Sequence, residues 1–346
     1  MVNFTKIPKI ELHLHLEGAI PLDTLWQLIN KYDPVLSKTL TLESLNSKFQ
    51  YTNFHHFLQL WSWKNTFIRE PDDFTHIAQA VARQLKHQNI IYAEAFFSPP
   101  DFAHTGLDVS LISQSIRQGL AMVDGIHVNL IADLVRGSDT AMAGLMLDQV
   151  LELKNEGVIG IGLGGDEAKH PPGLYKGIYT KAKHHDLHTT VHAGEALGPT
   201  SIWEALTELH PDRIGHGIRA VEDPKLLAYL KDHRIPLEIC PFSNIRTALY
   251  PHYSDHPVRT LYDLGIPISI NSDDPVLFQT SLAAEFQGLR EIHRFTDLEI
   301  LQLLLDATDQ SFADDIQKLS LKKQIFSHPQ WSSLPENDKL RSTSFT

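Results

Sequence analysis

Near the start of the chain, Ile10-Glu11-Leu12-His13-Leu14-His15-Leu16 alternates strictly between apolar and polar residues. That period is the signature of a half-buried strand, with leucines on one face and Glu11, His13 and His15 on the other. In an ordinary strand of this kind the polar face is the solvent face. After Gly18 a helical pattern runs from about Pro21 to Tyr32. An aromatic-rich stretch follows, Phe49 to Phe67, with Phe54, Phe57, Leu58, Trp61 and Trp63, and it reads as short helices that pack on the core or cover a pocket.

From Asp72 onward the pattern becomes rhythmic. Short apolar runs read as strands at Ile90 to Phe96, His127 to Leu134, Val158 to Leu163, Leu187 to Val191, Arg213 to Gly215, Ile235 to Ile239 and Ile266 to Ile270. Helical patterns separate them, at Asp108 to Met122, Thr140 to Asn155, Pro172 to His185, Thr200 to Leu209, Pro224 to His233 and His256 to Leu264, with Ser281 to Glu291 and Asp297 to Ala307 at the end. With the first strand this makes eight strand-helix units. Strands joined through helices pair in parallel by right-handed crossovers, and eight of them predict a closed (β/α)8 TIM barrel of the α/β class, with extra helices after strand 1 and at the C-terminus. No glycine fingerprint for a dinucleotide follows the first strand, which weighs against an open doubly wound sheet.

Composition narrows the picture. At 346 residues and 42% hydrophobic the chain can bury a large core. No Pro, Gly or Ser-rich linker divides it, so residues 1–346 are expected to form a single barrel domain, with about 320–346 as a C-terminal appendage. Met1 to Lys9 contains no long apolar run and no later stretch is long enough for a bilayer, which predicts a soluble cytoplasmic protein. The single Cys240 excludes an internal disulfide framework and any Cys-x-x-Cys metal site, so a bound metal must use His and carboxylates. A net charge of −12 without a Lys/Arg cluster excludes a nucleic-acid surface and favours a small-molecule partner. No feature of the chain specifies an oligomeric state.

In a barrel, chemistry belongs at the carboxyl ends of the strands. His13 and His15, two apart on strand one, point to one side and can reach one ion. Strand five ends in Val191-His192-Ala193-Gly194-Glu195, where Gly194 permits a tight turn and Glu195 can reach whatever the metal activates. His192 and a carboxylate from Asn271-Ser272-Asp273-Asp274-Pro275 complete a His₃Asp set suited to zinc, Asp273 and Asp274 pointing in alternate directions. His216, between Gly215 and Gly217, is placed to take a proton from an activated water or to hold it. Most other histidines, including His55, His56, His104, His127, His184 and His185, are expected to be ordinary surface or hydrogen-bonded residues.

Taken together these residues resemble the adenosine deaminase family, from Lys9 to about Asp274, through His13-Leu14-His15-Leu16-Glu17-Gly18, Gly165-Asp166-Glu167, Val191 to Glu195, Arg213-Ile214-Gly215-His216-Gly217 and Ser272-Asp273-Asp274-Pro275. The resemblance implies one catalytic Zn²⁺ per chain held by His13, His15, His192 and Asp273. It implies that Glu195 protonates the purine nitrogen beside the reacting carbon, that His216 orients or deprotonates the attacking water, and that the Gly165 backbone and Asp274 hold other ring nitrogens, with His15 and Glu17 at the substrate. The implied reaction is hydrolytic deamination of a 6-aminopurine nucleoside, adenosine or deoxyadenosine first. In adenosine-specific members the position of Glu17 is usually Asp against the ribose, and Glu is found in members acting on adenine or 6-aminodeoxyfutalosine. Adenine deaminases usually carry a Ser-containing sequence where Gly165-Asp166 stands here, so adenosine is placed ahead of both.

Two readings from other classes are weighed against this one. A two-metal phosphotriesterase-like hydrolase needs a bridging Lys or carboxylate that Val158 to Gly165 lacks. A non-catalytic nucleoside-binding protein on the same scaffold would be expected to have lost a ligand or the acid, and all are present.

Overall fold

In the computed structural model, which describes residues 2–332 and 334, eight strands form one sheet in the order β1 to β8. They are β1 (Lys9–His15), β2 (Ile90–Phe97), β3 (His127–Asp133), β4 (Val158–Gly162), β5 (His188–Ala193), β6 (Arg213–His216), β7 (Leu237–Ile239) and β8 (Ile268–Ile270). Every neighbouring pair is parallel, as strands linked through helices must be. Closure comes where the chain beyond β8 meets β1. The Asp273 N–H donates to the His13 carbonyl at 3.0 Å, and the His15 N–H donates to the Asp273 carbonyl at 2.9 Å. The (β/α)8 architecture expected from the periodicity is therefore the observed one.

The helices owe their place to burial more than to propensity. Pro71–His87 buries Phe74, Ile77, Ala78, Val81, Ala82 and Leu85, spaced three or four apart, so one apolar stripe faces the sheet. Each large side chain so buried contributes about 2 kcal/mol. The helix starts at Glu70, where a capping box with Asp73 occupies backbone donors that would otherwise lie unpaired. The aromatic stretch forms the helix Phe54–Asn65, preceded by Leu42–Lys48.

One expectation changes. All seven residues of β1 are buried, so the face carrying Glu11, His13 and His15 looks into the barrel and not into solvent. An alternating pattern cannot separate these cases, because a barrel interior can itself be polar where the charges pair or bind a ligand. At the C-terminal end, Asp315–Phe326 is helical and Trp331 is buried. Residues 333 and 335–346 of the expected appendage lie outside the described residues.

Candidate active site

The expected metal residues meet at one end of the barrel. His13, His15 and His192 each offer a ligand atom, as do His13, His216 and Asp273, and within each trio these atoms lie within 4.8 Å of one another. His15 Nε2 stands 3.2 Å from His192 Nε2. Asp273 Oδ1 is 3.5 Å from His13 Nε2 and 3.4 Å from His15 Nε2. His13 is set by Glu238, whose Oε2 lies 2.7 Å from Nδ1, so Nε2 is turned toward the cluster, where it is buried and without a hydrogen-bond partner.

These residues fit a divalent cation. Burial opposes a charge on His13, but Asp273 and Glu238 on either side outweigh it and lift its pKa to about 10. The pocket thus already favours positive charge at the point where Nε2 and Asp273 face each other. Burial pushes His15 down to about 3 and His192 well below the usual imidazole range, which leaves both neutral and able to bind a metal. Asp273 is held below the ordinary carboxylate range because the surrounding histidines outweigh its burial. Two residues here occupy the left-handed region without being glycine, His216 at φ +60° and Asp273 at φ +62°. Such conformations cost about 1–3 kcal/mol each and persist where surrounding contacts enforce them.

Glu195 and His216 face the same space. Glu195 Oε2 lies 3.7 Å from His216 Nε2, and His216 Nε2 lies 3.9 Å from Asp273 Oδ2. Burial, then the charges of Asp273 and Glu167, raise the Glu195 pKa well above its ordinary value. Burial takes His216 down to about 4, and its Nδ1 lies 3.3 Å from Asn244 Nδ2, while Asn244 Oδ1 is 3.0 Å from His256 Nε2. Asp274 is likewise pushed well above the carboxylate range by burial and by neighbouring Asp273, and its Oδ1 is buried without a partner. Gly18 is required beside it, since a Cβ at that position would fall 1.6 Å from Asp274 Oδ1. The turn before Glu195 depends on Gly194 at φ +68°, where a Cβ would meet Ile202 at 2.3 Å.

One cavity of about 210 Å³ joins these groups. His15, His192, Glu195, His216, Asp273 and Asp274 line it together with Gly165. Phe54, Phe57, Leu58 and Trp61 of the aromatic helix form part of its wall, so this stretch both packs on the core and covers a pocket. Glu17 is absent from the wall: it is fully buried, and its Oε1 accepts from the N–H of Ser98, which does line the cavity, at 2.9 Å. None of His55, His56, His104, His127, His184 and His185 lines it.

Several residues that matter here had no role assigned by the sequence. Glu167 accepts from the N–H groups of Gly194, Ala196 and Leu197 at 2.6, 2.9 and 3.0 Å and from the Ser201 hydroxyl, pinning the loop that bears Glu195. Arg136 donates to the His192 carbonyl at 2.6 Å. Glu238 was detectable only as a charge inside the apolar run Leu237-Glu238-Ile239. No helix among the described residues is long and apolar enough to cross a membrane.

The chain as a whole is similar to known proteins. The family model described as Adenosine deaminase matches residues 8–328. An adenine deaminase of Bordetella avium is 35% identical over 290 residues, covering 83% of this chain and 91% of that protein. An aminodeoxyfutalosine deaminase of Streptomyces avermitilis is 32% identical over 324 residues, covering 92% of this chain and 90% of the relative. The crystal structure of an amidohydrolase from Burkholderia ambifaria with bound Zn superposes with a TM-score of 0.84 at 26% identity, covering 92% of this chain and 90% of that one.

Proposed function

The chain belongs to the adenosine deaminase family, hydrolases acting on C–N bonds, and on that premise we propose that it hydrolyses the 6-amino group of a purine, releasing ammonia, with one Zn²⁺ held by His13, His15, His192 and Asp273. The observation that carries this reading is the meeting of His13, His15, His192 and Asp273 in two overlapping trios of ligand atoms beside a cavity that the buried Glu195 and Asp274 also line. When bound, zinc supplies a nucleophile at neutral pH by lowering the pKa of water to about 7.

The protein's own residues do the remaining work. Water adds its oxygen to the 6-carbon of the purine, the C–N bond breaks, and the amine leaves as ammonia. His216, kept neutral by burial and held by Asn244, takes a proton from the attacking water and passes it to the departing amine, which leaves as ammonia. Glu195, kept protonated by its dry surroundings, gives a proton to the ring nitrogen beside that carbon, so charge does not build up on the ring, and regains one from the added oxygen as the carbonyl forms. Asp274, also raised by burial, and the Gly165 backbone hold other ring nitrogens. Phe54, Phe57 and Trp61 keep bulk water off the ring.

Among 6-aminopurines, adenosine and deoxyadenosine stand first on the intact Gly165-Asp166. A second reading, adenine or aminodeoxyfutalosine, is supported by the names of the relatives and by Glu at position 17. Turnover of adenosine, deoxyadenosine, adenine and 6-aminodeoxyfutalosine by the zinc-loaded chain, read as ammonia release and fall in ultraviolet absorbance, ranks them. Bound zinc with no ammonia from any of them would leave a purine-binding protein and end the catalytic reading.

A further inference from the structure

Strands β2 and β3 stand between β1 and β4, and neither contributes to the trios of ligand atoms. Their carboxyl ends nevertheless put two acids on the cavity wall, Asp101 in the turn Pro99–Thr105 after β2 and Asp133 as the last residue of β3. Each is anchored through one oxygen only. Asp101 Oδ2 accepts from Trp61 Nε1 at 2.8 Å and from Asn65 Nδ2 at 2.9 Å. Asp133 Oδ1 accepts from the N–H groups of Gly164 at 2.7 Å and Val135 at 3.3 Å. Among the described residues no donor reaches Asp101 Oδ1 or Asp133 Oδ2. Asp133 is only 3% exposed and lines the cavity, so its second oxygen is a rigidly held acceptor that no side chain or backbone donor occupies. A ligand that fills the cavity displaces the solvent such an oxygen meets, and must supply a donor in its place.

The cations nearby are committed elsewhere. Arg136, the one Lys or Arg on the wall, donates to the His170 and His192 carbonyls at 2.6 Å each, and its Nε is closed off from solvent. Lys64 is fully buried behind the wall, bonded to Asn65 Oδ1 at 2.6 Å and lying 4.2 Å from the centre of the Trp61 ring. An anionic ligand therefore meets two carboxyl groups and no free basic group on this arc.

We propose that Asp101 and Asp133 determine substrate specificity by accepting hydrogen bonds from an uncharged, hydroxyl-bearing substituent of the purine and by repelling substituents that carry phosphate or carboxylate. This rests on the deaminase reading above and narrows its substrate class to neutral 6-aminopurine nucleosides. A hydroxyl donates a proton to each waiting oxygen, whereas a phosphate or carboxylate at neutral pH has little or nothing to donate and brings like charge into a desolvated wall.

The test compares kcat/KM of the zinc-loaded full chain for adenosine, adenosine 5′-monophosphate and the benzoate-bearing 6-aminodeoxyfutalosine, with free adenine alongside. Adenosine should exceed each anionic compound by about 100-fold. Asp133→Asn and Asp101→Asn, which keep an anchored acceptor oxygen, should each move the monophosphate-to-adenosine ratio toward the monophosphate by about 10-fold. A merely structural role for either residue would lower all substrates together and leave that ratio where it was. The proposal is overturned if an anionic compound matches adenosine in the native chain, or if neither variant moves the ratio. Deamination of adenine without adenosine also overturns it while leaving the deaminase reading intact. Ammonia from none of the four removes both.

Discussion

Two groups of buried charge share this barrel and behave oppositely. In the interior, Arg213 donates to Glu238 Oε1 at 2.6 Å, to Glu94 Oε2 at 2.5 Å and to the Gln310 carbonyl at 2.9 Å. Glu94 Oε1 accepts from the Tyr92 hydroxyl at 2.7 Å and from the Phe312 N–H at 2.6 Å, and Glu238 closes the chain on His13. No polar atom of these three charged side chains is left unpaired. At the end that carries the candidate site the reverse holds: His13 Nε2, His192 Nδ1 and Asp274 Oδ1 are buried and unpartnered. His13 belongs to both groups, one nitrogen in each. Burial alone therefore does not mark a site. What sets this end apart is that the unmet capacity falls on groups that also meet in one cluster of ligand atoms or line the cavity beside it, whereas other buried unpartnered atoms, such as Gln88 Oε1, Gln310 Oε1 and Trp331 Nε1, belong to no such cluster.

Substitutions can break this contrast at several points. The largest effect is expected at the unpaired end, where Glu195→Gln should keep its metal and lose about 1,000-fold or more in turnover, read by ammonia release beside metal analysis. Near-normal turnover in that variant would contradict the proton-donor role. In the paired interior, Arg213→Met strands two carboxylates in the core and should cost about 3–5 kcal/mol of stability, read by urea unfolding. An unchanged midpoint would mean that the network relaxes more easily than its geometry implies. At the residue that bridges the two groups, Glu238→Gln should leave the fold in place and weaken zinc binding about 10 to 100-fold in competition with a chelator. Affinity equal to the native chain's would separate the two groups after all. The smallest effect is expected far from both, where Lys181→Ala breaks only an exposed pair with Asp148 and should change stability by no more than about 0.5 kcal/mol.

Much of the barrel could be read from the chain because strand and helix periods are local properties. The β3 run His127 to Leu134 and the helix Asp297 to Ala307 were each legible to within a few residues of His127–Asp133 and Asp297–Gln310. Ends were less legible. The run Ile235 to Ile239 yields a strand only over Leu237–Ile239, and Thr200 to Leu209 splits into Pro199–Glu204 and a π turn, since pairing partners and not propensity decide where a ladder stops. The site was legible to the degree that its residues sit on strand ends with distinctive neighbours, as His13, His15, His192 and Asp273 do.

By itself, then, the sequence determined the order of the eight strands and which histidines come together at one end of the barrel, because side-chain direction alternates along a strand wherever the strand is placed. Only the tertiary structure decided which carboxyl goes with which partner. Glu238 was drawn to Arg213 and His13, Glu167 to the loop before Glu195, and Glu17 to the N–H of Ser98, while Asp101 and Asp133 each kept an oxygen free on the cavity wall. These residues are of similar chemical type, and although Glu17 and Glu167 stand in recognisable motifs, no local pattern names the partner of any of them. What separates them is the donor that barrel closure happens to bring within 3 Å, a long-range property that no window of neighbouring residues contains.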